Sequence, residues 1–143
     1  MLLQLLLKEE QMDPEKILHE HSLKRTGCRE GIIMVLKNAG KPLSENEIRD
    51  NLSISFDRTT FYRSFKTLLE TNILHKIVID NQFTKYALGT STTQPVSHAH
   101  FYCTSCSMVK CLEPVKQDLS ALPEGFTVRE TEIIFKGLCA RCN

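Results

Sequence analysis

The sequence predicts an α+β protein: a winged helix-turn-helix domain at residues 1–88, a linker at 89–97 and a small α/β domain at 98–143. Three observations predict it. Capped helical segments fill the first seventy residues and give way to two β-rich runs. A polar stretch carrying a proline then interrupts all periodicity, and beyond it two C-x2-C pairs stand among short strand signals. At 143 residues the chain can hold one ordinary domain or two small ones.

With 41% hydrophobic and 24% charged residues the composition is that of a soluble globular protein, and no apolar run approaches the roughly 20 residues of a membrane helix. The opening "MLLQLLLKEEQ" lacks a basic leader and a small-residue cleavage site, so no secretory signal is expected and the compartment reads as cytoplasmic. In reducing cytosol the six cysteines are more suited to metal binding or redox work than to disulfides. Net charge is only +1, so any nucleic-acid footprint must be a local basic patch.

Asp13-Pro14-Glu15 supplies an N-cap acid, a proline suited to the first helical position and an acid in the first turn, predicting a short helix that ends near Leu23. A second helix starts at about Gly27, buries Ile32, Ile33, Leu36 and Ala39, and can stop at Gly40 before Pro42. "SENE" at 44–47 is a capping box opening a third helix through Leu52. Residues 57–70 separate by angle into an apolar arc of Phe61, Phe65, Leu68 and Leu69 and a polar arc of Arg58, Thr59, Tyr62, Arg63 and Lys66. Alone, such a helix is usually one with a solvated basic face. "ILHKIVID" and "FTKYAL" follow around a turn at Asp80-Asn81-Gln82, and a hairpin after these helices makes a winged helix. In that arrangement the last helix enters the major groove of double-stranded DNA, with Lys24, Arg25 and Arg29 assisting at phosphates.

"GTSTTQPVS" at 89–97 reads as a linker. Beyond it "HFYC", "MVKCL" and "TVRETEIIFKGL" predict strands, and 114–122 predicts a short helix with Val115, Leu119 and Leu122 turned inward. Cys103, Cys106, Cys139 and Cys142 form two thiolate pairs, each spaced for a tight turn, and four such ligands close a structural zinc site; a disulfide or redox pair is the alternative. His98 and His100 alternate on a strand and so share a side. They are either surface histidines or half of a second metal site, for which His75 and Cys111 are further ligands. Cys28 has no partner in sequence and reads as core packing.

This order of parts resembles the ferric uptake regulator family of metal-dependent bacterial transcription regulators over about residues 23–142. "LKRTGCR" is similar to the family's L-K-x-T-x-x-R, and "TTFYRSFKTLLETNIL" to its T-V-Y-R-x-L-x-x-L reading helix, with Tyr62 and Arg63 in the matching places. The resemblance implies a homodimer paired through its C-terminal halves, two winged helices on a palindromic operator, and a regulatory metal at the hinge between domains. Three departures mark this chain: Pro42 where a histidine is common, Ala87 where an acid is common, and Cys111 where a carboxylate usually follows the second zinc cysteine. The remaining set, His75, His98, His100 and Cys111, offers three imidazoles and a thiolate. It suits zinc better than iron and leans toward the zinc-uptake branch.

The expectation is a metal-responsive DNA-binding regulator, a repressor with structural zinc and a regulatory zinc or iron, and with no membrane or small-molecule substrate. A peroxide-sensing relative using iron at His98 and His100, and a zinc-stapled protein-interaction module that does not bind DNA, are the alternatives. A metal-dependent hydrolase would need His75, His98 and Cys111 around a bound water, but no general base is placed for it, so no enzyme is expected.

Overall fold

A computed structural model describes residues 13–89, 99–112, 115, 118–129 and 131–143. The chain divides into two compact units, Met1–Thr90 and Ser91–Asn143.

In the first unit the helices begin where the sequence supplies caps. Helix α1 (Pro14–Glu20) starts behind Asp13, whose carboxylate accepts from the Glu15 N–H at 3.3 Å. It stops three residues before the predicted end. Ser22 takes a left-handed φ of 55°, and the Leu23 N–H turns back to the Leu18 carbonyl at 2.8 Å. Helix α2 (Gly27–Ala39) is capped by Thr26 and ends at Gly40, whose φ of 60° suits a residue without Cβ. Helix α3 (Glu45–Asp50) carries the expected capping box: the Glu47 N–H donates to Ser44 Oγ at 3.2 Å, and the Ser44 N–H donates to Glu47 Oε2 at 2.7 Å. Helix α4 (Arg58–Glu70) is capped by Asp57, which accepts from the Thr60 N–H at 3.0 Å.

These helices close on one apolar core. Leu18, Ile32, Ile33, Ile48, Phe61 and Leu68 are fully buried, and Leu36, Phe65 and Leu74 join them. Each contributes about 1.5–3 kcal/mol of transfer free energy. Cys28 is buried among them, as its isolation in the sequence implied, and burial pushes its thiol up.

Strands β1 (Leu74–Ile79) and β2 (Phe83–Leu88) pair antiparallel from Leu74↔Leu88 to Ile79↔Phe83. Asp80 and Asn81 turn the hairpin with φ of 53° and 55°, the left-handed pair a tight hairpin requires. The hairpin is tied back to the helices at Leu43, which exchanges backbone hydrogen bonds with Tyr86 at 2.9 and 2.7 Å. At Gly89 the N–H donates to the Ile73 carbonyl at 2.7 Å, and a Cβ there would collide with the Asn72 carbonyl.

In the second unit β3 (Ala99–Cys103) is central, with β4 (Val109–Leu112) antiparallel on one side and β5 (Ile133–Gly137) parallel on the other. One expectation is corrected here. No helix occurs among the described residues of 114–122: Asp118 and Leu119 have no regular structure and Ser120 begins a turn. Pro114, Lys116 and Gln117 lie outside the described residues. The apolar face that suggested a helix is not buried, since Val115, Leu119 and Leu122 are all exposed. A short amphipathic segment has little reason to wind when its apolar side finds no surface within its own chain.

Candidate DNA-reading face and metal centre

The five polar-arc residues of α4, Arg58, Thr59, Tyr62, Arg63 and Lys66, are all exposed, while Phe61, Ser64, Phe65 and Leu68 hold the helix to the core. Alternation at 3.6 residues per turn therefore delivers one continuous basic and aromatic strip. The Arg58 guanidinium lies 5.5 Å over the Tyr62 ring, which stiffens both side chains. Lys66 pairs with Glu70 at 3.7 Å, an exposed i,i+4 contact worth only a few tenths of a kcal/mol and readily given up.

The loop before α2 differs from its sequence expectation in one respect. Lys24 is exposed, but Arg25 is held by Glu15 at 3.2 Å and Glu30 at 2.6 Å, and Arg29 Nη1 donates to the Lys24 carbonyl at 2.7 Å. Arg29 thus shapes the loop that presents Lys24. The acids around Arg25 come from other elements, so spacing along the chain gave no warning of them.

The four zinc-type cysteines converge. Cys103 ends β3 and Cys106 follows on the turn whose Ser107 N–H donates to the Cys103 carbonyl at 2.9 Å; Cys139 and Cys142 form a second such turn, with the Cys142 N–H on the Cys139 carbonyl at 2.9 Å. The Thr104 N–H donates to the Gly137 carbonyl at 2.8 Å and locks the two turns side by side. All four sulfurs lie within 4.8 Å of one another, and Cys106 and Cys139 are 3.8 Å apart. That separation is far too long for a disulfide. It matches the edge, about 3.8 Å, of a tetrahedron with zinc–sulfur bonds of about 2.3 Å.

The protonation pattern fits a cation. Backbone N–H groups of Cys106 and Cys139 hold the Cys103 thiol at about 6, and the N–H of Arg141 lowers Cys139. The neighbouring Cys139 sulfur pushes Cys142 up to about 11. Four thiolates this close repel unless a divalent ion takes up their charge.

Of the second proposed ligand set, the structure brings two residues together in the second unit. His100 and Cys111 are direct cross-strand partners on β3 and β4; His100 is buried, and burial pushes the half-buried Cys111 thiol up. His75 lies in the first unit on β1, half-buried and opposite Ala87. His98 is outside the described residues.

The model of the ferric uptake regulator family matches residues 20–135, most of both units. The chain belongs to the ferric uptake regulator family. It is thereby a regulator and not an enzyme. No individual curated protein matches it. Among solved structures it is similar to a zinc uptake regulator complexed with zinc and DNA, at 26% identity, covering 94% of this chain and 93% of that one with a TM-score of 0.68. It shares the fold of the Vibrio cholerae ferric uptake regulator, at 20% identity, 89% and 100% coverage and TM-score 0.64. It also shares that of the Helicobacter pylori regulator, a protein with three functional metal-binding sites, at 18%, 98% and 93%, and 0.60. Among the described residues no helix is long and apolar enough to cross a membrane.

Proposed function

We propose that the chain is a metal-responsive DNA-binding transcriptional repressor, cytoplasmic and homodimeric, whose first 88 residues read a palindromic operator while residues 98–143 dimerise and hold metal. The observation that carries this reading is the exposed strip Arg58, Thr59, Tyr62, Arg63 and Lys66 on a helix anchored by its other side. The likeness to a zinc uptake regulator complexed with zinc and DNA supports it. Lys24 adds a phosphate contact, as does Arg25 once DNA draws it from Glu15 and Glu30, with Arg29 shaping the loop. Arg63→Ala should abolish retention on the operator with the melting curve unchanged; undiminished binding would overturn the assignment of α4 as reader. Affinity should fall steeply with salt, as phosphate neutralisation requires.

Cys103, Cys106, Cys139 and Cys142 would hold a structural zinc, which there supplies cross-linking and no reactivity. The regulatory metal would be held by His100 and Cys111, joined by His98 and by His75 of the reading half. A ligand shifts a conformational equilibrium only by binding one arrangement better, so donors from both halves are what would make occupancy matter for DNA affinity. Three imidazoles and a thiolate favour zinc over iron. Metal content and operator retention measured before and after mild chelation test this: two zincs per protomer, with loss of one abolishing retention, is the expected result, whereas a single inert zinc would leave no sensory site.

Dimerisation is supported by unspent apolar surface in the second unit. Val115, Leu119, Leu122, Phe126, Val128, Phe135 and Leu138 are exposed there, and β5 lies at a sheet edge.

A further inference from the structure

We infer that the ion pair between Glu47 and Lys85 is a strut that fixes the angle of the wing to the reading helix, so that Lys85, although a cation on the wing, is a positioning residue and not a phosphate contact. The inference rests on the DNA-reading role assigned to α4. Lys85 Nζ stands 2.6 Å from Glu47 Oε2, the same oxygen that closes the α3 capping box on the Ser44 N–H. The lysine side chain is four-fifths covered, an unusual cost for an ammonium that could otherwise project into solvent. Burial raises Glu47, but the bond from Lys85 and those from the Ser44 N–H and hydroxyl outweigh it and hold the carboxyl at about 2. The Glu47 carboxyl is therefore ionised well below the usual carboxylate range.

The neighbouring residue shows what the strut completes. Alternation along β2 sends Tyr86 to the opposite face from Lys85. There its ring meets Phe65 of α4 edge-on at 4.7 Å, and its backbone is the one paired with Leu43. Strand β2 is thus gripped from both faces, by an aromatic contact to the reading helix on one and a charge contact to α3 on the other. Strand β1 is held from below by the buried Leu74, Ile77 and Ile79, so the two grips act on the remaining freedom of β2. Together they set where the Asp80–Asn81 tip falls relative to the basic strip.

The test uses the zinc-loaded full-length protein and a duplex selected by the wild-type protein from random DNA, in a long form with flanking base pairs and a short form trimmed to the segment under α4. Lys85→Met and Glu47→Gln should each weaken binding to the long duplex by about 5- to 20-fold, with the short duplex nearly unaffected. The slope of log affinity against log salt should stay at the wild-type value, because no phosphate contact is removed. Lys85→Arg, which keeps the pair, should restore long-duplex affinity. Glutamine at 47 can still accept from the Ser44 N–H, so the capping box survives and the melting temperature reports any general damage. A slope reduced by about one phosphate in Lys85→Met, at the wild-type value in Lys85→Arg and unchanged in Glu47→Gln would make Lys85 a direct contact and overturn the strut. Unchanged long-duplex affinity in both disrupting variants would overturn it too. Failure of the DNA-reading assignment itself looks different: the wild-type protein would select no duplex.

Discussion

The two units solve the same problem of cohesion with different materials. The first buries leucine, isoleucine and phenylalanine from four helices and a hairpin in one core. In the second, among the described residues, no leucine, isoleucine or phenylalanine is buried, and the covered side chains are Ala99, His100, Tyr102, Cys103, Val109 and Cys139. A three-stranded sheet with so little apolar interior needs another source of stability, and the four sulfurs supply one. The difference teaches that only the first unit carries an apolar core of its own, so the proposed structural zinc would be a folding requirement for the second unit alone.

Removing the sulfurs is the harshest way to break that comparison. Cys139→Ser with Cys142→Ser should cost more than a small domain's whole stability, since a structural zinc contributes about 10–16 kcal/mol. Scanning calorimetry should lose the second unit's transition and keep the first unit's; loss of both would mean the units are not independent. The reciprocal change is Leu68→Ala, a fully buried position on α4, expected to cost about 2–5 kcal/mol in the first unit while zinc stoichiometry, measured by metal analysis, stays at the wild-type value. Ser44→Ala should remove about 1 kcal/mol from the first unit, visible as a lower denaturation midpoint with an unchanged slope.

The smallest effect is in pH. Glu47 falls from an ordinary 4.5 to about 2 on folding, so its contribution is fully present above about pH 4.5 and is lost as pH falls toward 2. With the carboxylate side chain 45% exposed, screening keeps this below about 1 kcal/mol. In urea melts between pH 5 and 3, Glu47→Gln should therefore lose less stability than the wild type does; parallel acid limbs would show that the pair carries no coupled charge.

Much of the first unit was legible in the sequence because its signals are local. Asp13, Ser44 with Glu47, and Gly40 each act within four residues, and the helices begin and end close to where those residues place them. The cysteine pairs were legible for the same reason, since each C-x2-C writes its own turn. What could not be read is what lies across the fold. Sequence spacing offers Arg25 to phosphates and shows nothing of Glu15 and Glu30, which hold it; it marks Glu47 as a cap and shows nothing of its partner Lys85. At 118–122 the reason is the opposite: the periodicity is real, but periodicity specifies a helix only where a surface receives the apolar side, and Leu119 and Leu122 find none within the chain.

The locking of one cysteine turn against the other has a consequence for how the protein is made. Everything the first unit needs is complete once Leu88 has been synthesised, so its core can close while the rest of the chain is still being added. The proposed zinc site needs sulfurs from Cys103 to Cys142, so the earlier pair would wait, reduced and unpaired, until the later pair emerges. Zinc capture at that site would then be a late event in the protein's life, and the supply of free zinc at that moment would govern how many newly made chains acquire a folded second half.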